Sequence, residues 1–264
     1  MTDARRPPAD RGWTAGVVAG LVAGLAGGLF GVGGGIVLVP MLTAWYGLGQ
    51  HRAHGTSLAA IGATAVAGLV VYGSHGHVAW GPAATMALAS VTMARYGARL
   101  AARTRQDRLR DAFAVFLAVV ALRLLWRAPV GDAEHALTGM VGLATSLGVG
   151  AAVGLLAGYM GVGGGILAVP ALTLAFGMSQ QMAQGTSLAL ILATAPIGAW
   201  EHNRHGNVER SLVPGLAIGA AIGAPLASWW AQGLPQSVLA RGFAVFLLAN
   251  ATRMLWVRTR PAKG

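Results

Sequence analysis

The sequence of 264 residues contains no cysteine. Disulfide frameworks, thiolate zinc sites, iron–sulfur clusters and a catalytic thiol are therefore excluded, and cysteine usage says nothing about the redox compartment. Charged residues are also scarce: they make up 10% of the chain, against about 25% in a typical soluble protein, whereas hydrophobic residues reach 55%. This deficit of charge indicates a chain that sits in lipid.

Acidic residues are absent from the middle of every apolar stretch. The eight of them lie in tails, loops or segment ends, at Asp3, Asp10, Asp107, Asp111, Asp132, Glu134, Glu201 and Glu209. A carboxylate inside the membrane is the usual carrier of a coupling proton or sodium ion, so a cation pathway has little support. Because a His-Glu-x-x-His motif is also missing, a paired-carboxylate hydrolase and a metalloprotease are disfavoured, and we predict that the protein is not an enzyme.

The chain repeats itself at an offset of 130 residues without a gap. The residues Gly-Val-Gly-Gly-Gly-Ile at 31–36 return at 161–166, and Gly-Thr-Ser-Leu at 55–58 returns at 185–188. Transporter folds built from two related halves have this pattern. We divide the chain into a cytoplasmic N-terminal tail (1–12), a first membrane repeat (13–128), a linker (129–139), a second membrane repeat (140–257) and a cytoplasmic C-terminal tail (258–264).

Apolar stretches in each half predict membrane helices. In the first copy they are Trp13–Phe30, Ile36–Tyr46, Gly55–Tyr72, Pro82–Gly97 and Asp111–Trp126. Most of them approach the ~20 residues that a helix needs to cross ~30 Å of hydrocarbon, but Ile36–Tyr46 reaches roughly half that distance. We predict an all-α polytopic membrane protein in which each half has a Gly-broken re-entrant or half-helix element plus about three spanning helices.

Lys and Arg predict the orientation, because the cytoplasmic loops of membrane proteins collect them. If each Gly-broken stretch returns to the side it came from, most of the 19 basic residues fall on one side, in both tails and in segments 47–54, 99–110 and 203–211. On the other side, only Arg127 is found in segments 73–81, 127–138, 177–184 and 229–240. This predicts an inverted-topology repeat with both termini cytoplasmic. Two parallel copies are the alternative, which the charge asymmetry disfavours.

The two glycine-rich breaks are the first candidates for ligand binding. Four glycines in five residues disfavour a helix interior, since each costs about 1 kcal/mol relative to Ala. Irregular backbone at membrane depth lines a cavity or is buried in protein, and the half-helix that starts there can face an anion with its positive end. The candidate substrate-binding glycines are Gly31, Gly33, Gly34, Gly35, Gly161, Gly163, Gly164 and Gly165. Close helix packing is the alternative role for glycine, and it describes Gly16, Gly20, Gly24 and Gly28.

Gly-Thr-Ser opens a long apolar segment in both halves. A hydroxyl there can cap the helix by accepting from backbone N–H groups, and capping alone would explain the motif. In an inverted repeat these helix starts and the half-helix starts can also converge on an anion, offering hydroxyls and amides without a fixed charge. The further substrate-binding candidates are therefore Thr56, Ser57, Thr186 and Ser187, with Gln50 and Gln180 five residues before each Gly-Thr-Ser.

Histidines support a different hypothesis, a metal-handling membrane protein or a membrane enzyme. Three pairs have spacings that can hold a metal ion: His51 and His54, His75 and His77, and His202 and His205. They lie in polar connections, where solvated interfacial histidines are the ordinary case, and we predict neither a bound metal nor a cofactor. The gating candidates are His75 and His205, which the repeat preserves, and Glu201 and Arg204, whose ion pair can equally be an exposed one of little consequence.

The doubled Gly-x-Gly-Gly-Gly, each followed by a proline (Pro40 and Pro170) and by Gly-Thr-Ser, resembles the sulfite exporter TauE/SafE family of membrane permeases. The resemblance covers about residues 13–257. It implies an integral transporter of the inner membrane, usually assigned to the export or uptake of sulfur-containing anions such as sulfite or organosulfonates. Helix N-termini, hydroxyls and amides suit such an oxyanion.

We therefore expect a secondary transporter that moves a small anion by alternating access, with the substrate bound between the two breaks. The expected partners are this anion and the lipid bilayer, and not nucleic acid, because the net charge of +11 is explained by the orientation of the loops. The oligomeric state is open. A membrane scaffold that transports nothing is a third hypothesis.

Overall fold

The computed structural model describes residues 9–101, 106–126, 139–160 and 164–256, and no strand occurs within them. The first half forms α1 (Ala9–Phe30), α2 (Gly35–Tyr46), α3 (Gln50–Ser74), α4 (Trp80–Ala101) and α5 (Gln106–Trp126). The second half forms α6 (Gly139–Met160), α7 (Gly165–Ala175), α8 (Gln180–Arg204), α9 (Val213–Gln232) and α10 (Gln236–Trp256). The predicted all-α fold is confirmed, and each half has one short helix among four long ones.

Five of the described helices contain stretches long and apolar enough to cross a membrane. They are Trp13–Phe30, Gln50–Ser74, Gly139–Ala157, Gln180–Arg204 and Val213–Gln232. Large apolar side chains point outward at helical spacing, as at Ile218, Ile222 and Leu226 of α9, and exposed tryptophans lie near helix ends, as at Trp13 and Trp80. An outer surface of this kind suits lipid, with aromatic side chains at the membrane interface. The chain is a multi-pass membrane protein.

The two halves are intertwined, because α1 packs along α9 and α6 packs along α4. Glycines spaced by four residues allow this approach: Gly20, Gly24 and Gly28 lie against the backbone of Leu216, Ala220 and Ala224. The second half repeats the contact, with Gly150 against Met86 and Gly154 against Ser90. Small residues that let backbones meet are the usual means of packing helices in lipid. The packing role predicted for these α1 glycines is confirmed.

The central helices α3 and α8 run antiparallel and exchange equivalent contacts. The Thr56 Oγ1 near the start of α3 accepts a hydrogen bond of 2.9 Å from the backbone N–H of Glu209, beyond the end of α8. Thr186 near the start of α8 does the same for the N–H of Ala79, beyond the end of α3, also at 2.9 Å. The two homologous helices are therefore related by a pseudo-twofold axis perpendicular to their length. This geometry supports the inverted orientation across the membrane, which stays a prediction.

The short helix α2 folds back along α1. Gly34, just before α2, packs on the carbonyl of Ala23 in α1, and the hydroxyl of Tyr46, the last residue of α2, lies 3.8 Å from the position of a Cβ on Gly16. The end of α2 is thus beside the beginning of α1, as a re-entrant element requires. At ~1.5 Å per residue, its 12 residues span roughly half of a ~30 Å hydrocarbon core.

Candidate substrate-binding site

The first break is a tightly buried turn between α1 and α2. Residues 31–35 are all buried, and Gly31, Gly33 and Gly34 have φ angles of 68°, 72° and 81°. Residues with a Cβ rarely adopt this left-handed conformation, so three of the glycines are required by the backbone itself. The α2 helix begins at Gly35, where the N–H groups of Val37 and Leu38 both donate to the carbonyl of Gly34, and those of Gly35 and Ile36 have no partner in a preceding turn of helix.

The second break meets the first one in the interior. Gly161 and Gly163 lie outside the described residues, but Gly164 and Gly165 are buried at the start of α7. A Cβ on Gly165 would lie 2.9 Å from Val32 Cα, in the middle of the first break, and 2.6 Å from Ile191 Cδ1 of α8. The start of α7 therefore packs against the first break, three residues before α2 begins.

The described residues near this meeting point carry no charge. Gly31 packs on α8, since a Cβ there would lie 2.5 Å from Gln184 Cα, and Gly33 packs on Ile191. The side chain of Ser187, which is fully buried, donates a long hydrogen bond of 3.4 Å to the carbonyl of Gly165. Ser57, its counterpart in α3, is buried as well. Helix starts, hydroxyls and amides can stabilise an anion here without competition from a carboxylate.

The structure excludes helix capping, the alternative explanation for Gly-Thr-Ser. The α3 and α8 helices begin at Gln50 and Gln180, one turn earlier than the apolar stretches, because polar residues 50–54 and 180–184 are helical too. Ser179 caps α8 by accepting from the N–H of Met182. The hydroxyls of Thr56 and Thr186 instead accept from loops of the opposite half. The motif therefore holds the two halves together.

Gln50 and Gln180 occupy equivalent positions but have opposite surroundings. Gln50 is exposed at the start of α3, whereas Gln180 is fully buried, and among the described residues neither of its amide atoms has a hydrogen-bond partner. Gln184 lies one turn further along α8 and is also fully buried. Gln184 was not among the residues predicted from the sequence. The equivalent position in the first half is His54, so a polar residue occurs there in both halves, and this pattern could have indicated Gln184.

The gating candidates lie at helix ends. His75 and His205 each use Nδ1–H to donate a 2.8 Å hydrogen bond to the carbonyl four residues earlier. Capping the C-terminal ends of α3 and α8 is therefore enough to explain why both halves have a histidine at this position. Glu201 lies 3.8 Å from His205, and Arg204 stacks over the ring of Trp200, 4.8 Å from its centre. Glu201 and Arg204 therefore contact His205 and Trp200, respectively, rather than each other.

An ion pair that the sequence did not indicate joins the halves at this same end. Arg52 of α3 pairs with Glu209, whose other carboxylate oxygen accepts from Ser211. Beside them a cavity of about 360 Å³ opens between α3, α8 and α9, with Arg210 in its wall. The Arg210 guanidinium donates to Asn203 Oδ1 through Nε and Nη2, at 3.2 and 3.1 Å. In the first half, the position equivalent to Arg210 is Trp80.

The histidines do not gather into a metal centre in the part of the chain that the structure describes. No group of three His, Cys, Asp or Glu side chains there has a metal-ligating arrangement. The Nδ1 of His77 pairs with the side-chain amide of Gln232 at the opposite end of the protein from Arg52. These histidines therefore take part in helix and loop contacts.

Two intertwined halves of apolar helices, with broken helices that meet in the interior, define a membrane transporter. The sequence pattern named Sulfite exporter TauE/SafE matches residues 2–124 and 146–264, and the chain belongs to this family. It is 32% identical over 230 residues to a "Probable membrane transporter protein" of Xylella fastidiosa strain Temecula1, covering 86% of this chain and 88% of that protein. A "Probable membrane transporter protein YunE" of Bacillus subtilis strain 168 is 29% identical over 222 residues, covering 74% and 81%. No solved structure matches the chain.

Proposed function

We propose that this transporter moves a small sulfur-containing oxyanion, such as sulfite or a sulfonate, across the inner membrane by alternating access. The observation that carries the proposal is the meeting of the two breaks: Val32 contacts Gly165 where α2 and α7 both begin. An oxyanion can accept hydrogen bonds from the first N–H groups of the two helices, and both helix dipoles favour its charge. The protein acts by transport and not by catalysis.

The reciprocal contacts of α3 and α8 supply the two gates. One gate contains Thr56, Glu209 and Arg52 at the end that we assign to the cytoplasm, and the other contains Thr186 and Ala79. Because the two gates are equivalent by the repeat, opening one while the other stays closed exposes the breaks to alternate sides.

The membrane potential can drive the export. A negative interior favours the exit of an anion by about 2.3 kcal/mol per unit charge and 100 mV. Export therefore needs no coupled cation, in agreement with the position of all eight acidic residues in tails, loops or segment ends. In this scheme both termini are cytoplasmic.

The test is flux of radiolabelled sulfite in proteoliposomes held at a defined potential. We expect uptake that follows the potential and saturates with sulfite; wild-type protein that moves none of sulfite, thiosulfate or simple sulfonates would overturn the proposal. The matched variants are Gly165→Ala in the second break and Gly148→Ala in α6. A methyl on Gly165 meets the backbone of Val32 in the other break, whereas one on Gly148 meets nothing within 4 Å. Only Gly165→Ala should change flux strongly while the protein stays in the membrane.

A further inference from the structure

Three buried glutamines form a triangle on the surface of α8, in which Gln184 is the neighbour of both Gln180 and Gln181. Gln180, Gln181 and Gln184 are 0%, 6% and 0% exposed. Residues three and four apart in a helix are neighbours on its surface, with Cβ atoms roughly 5–6 Å apart. Four of their amide atoms have no hydrogen-bond partner within the described part of the chain: both atoms of Gln180, Oε1 of Gln181 and Nε2 of Gln184. Buried polar atoms are nearly always paired, so this group requires an explanation.

The surrounding contacts fix which atoms are left over. Gln181 Nε2 donates to the carbonyl of Leu234 at 3.1 Å, which leaves its Oε1 as a free acceptor. The hydroxyl of Tyr72 has two acceptors within reach, Gln184 Oε1 at 2.8 Å and the carbonyl of Gly28 at 3.0 Å, and by donating to the nearer one it pairs Gln184 Oε1. Gln184 Nε2 is then a free donor. Gln180 offers one donor and one acceptor whichever way its amide is turned.

The repeat shows that the fold does not require these amides. The equivalent positions of α3 are Gln50, His51 and His54, and the first two of them are exposed. The triangle is thus a property of the second half alone. It also touches the candidate site, because Gln184 lies directly against Gly31 of the first break.

We propose that Gln180, Gln181 and Gln184 bind the transported ligand and select an oxyanion that also carries a hydrogen-bond donor, either a proton or a hydroxyl group. The two Nε2 groups donate to the oxyanion, while one of the two carbonyl oxygens accepts the single proton of its hydroxyl. An oxyanion without a donor leaves both carbonyls unpaired and facing negative oxygen, which the site penalises. This inference rests on the proposed function and names its substrate class. Tyr72 acts as a positioning residue, because it holds Gln184 with Nε2 free.

The direct test uses two ligands of equal charge, hydroxyethanesulfonate and ethanesulfonate, with the purified full chain in detergent. Thermal unfolding measures binding, because a ligand of the folded state raises Tm. We expect hydroxyethanesulfonate to bind about tenfold more tightly than ethanesulfonate, which corresponds to one additional hydrogen bond and one fewer unpaired carbonyl. Equal affinities for the two ligands, or no shift of Tm with either of them, would overturn the inference.

The matched variants are Gln180→Met in α8 and Gln50→Met at the equivalent exposed position of α3. Gln180→Met removes a buried unpaired amide and breaks no hydrogen bond, so the ligand-free Tm should rise while hydroxyethanesulfonate binds about tenfold less tightly. Gln50→Met should leave the affinity unchanged, because Gln50 is exposed and lies outside the proposed glutamine site despite its prediction as a binding residue. A merely structural glutamine would give the opposite result, a lower Tm and an unchanged affinity.

Flux measurements separate this inference from the proposed function. If wild-type protein moves sulfite and Gln180→Met has the wild-type KM, the glutamine site is wrong and the transport proposal stands. If hydroxyethanesulfonate binds through Gln180 but no sulfur anion moves, the transport proposal is wrong and the binding site stands.

Discussion

Gly150 and Gly148 lie two residues apart on α6, and the structure predicts opposite effects for the same substitution. A Cβ on Gly150 would lie 2.5 Å from the carbonyl oxygen of Met86 and 2.6 Å from its Cα, whereas a Cβ on Gly148 meets nothing within 4 Å. Carbon atoms pack at about 3.5–4.0 Å, so Gly150→Ala requires α6 and α4 to separate by about 1 Å. The obstacle is backbone, which cannot rotate away as a side chain could.

The net effects follow from two opposing terms. Alanine is favoured over glycine within a helix by about 1 kcal/mol, and this gain applies at both positions. At Gly150 it is offset by an overpacking cost of about 1–3 kcal/mol or more, since the helix pair must move as a unit. We expect Gly148→Ala to raise the free energy of unfolding by up to about 1 kcal/mol, and Gly150→Ala to lower it by up to about 2 kcal/mol, the net of the two terms.

Reversible unfolding by SDS in mixed micelles, followed by circular dichroism, measures both variants under one condition. The comparison controls for helix propensity and for the detergent, because the same methyl group is added to the same helix. If Gly150→Ala proves as stable as Gly148→Ala, the close contact of α6 with α4 is absent in the membrane, and the intertwined arrangement of the halves loses its main support.

The contacts between the halves provide further predictions. Thr186→Val leaves the N–H of Ala79 without its partner and should lower the free energy of unfolding by about 1–3 kcal/mol; Thr186→Ser, which keeps a hydroxyl, should recover much of this loss, and equal losses would argue against the hydrogen bond. Arg52→Gln breaks an exposed ion pair with Glu209 and should cost less than about 1 kcal/mol, with the difference from wild type vanishing at high salt; a larger, salt-independent loss would contradict this account.

Much of the fold could be predicted because the information is local and repeated. The offset of 130 residues revealed two copies. The glycine clusters located both breaks within a few residues of their places in the structure, between α1 and α2 and between α6 and α7. The four-residue spacing of Gly20, Gly24 and Gly28 indicated close helix packing without naming the partner helix. Such patterns are visible in a sequence because they consist of residues close together in one segment of the chain.

The long-range contacts could not be predicted. Thr56 has the spacing of a helix cap, but its partner is the N–H of Glu209, more than 150 residues away. Gln180 and Gln50 have the same place in the repeat, and only the packing of the second half buries one of them. A residue's burial depends on which helices pack against it, and the order of residues within one segment does not show which helices these are.

The inverted relation of the two halves is the central claim, and thiol labelling tests it directly. The chain contains no cysteine, so His75→Cys and His205→Cys each introduce a single thiol, at exposed and equivalent positions of the repeat. In sealed right-side-out vesicles, a membrane-impermeant maleimide should label the thiol at position 75 at once, and the thiol at position 205 only after the vesicles are opened. If both positions react from the same side of the membrane, the halves are parallel and the proposed pathway between them is wrong.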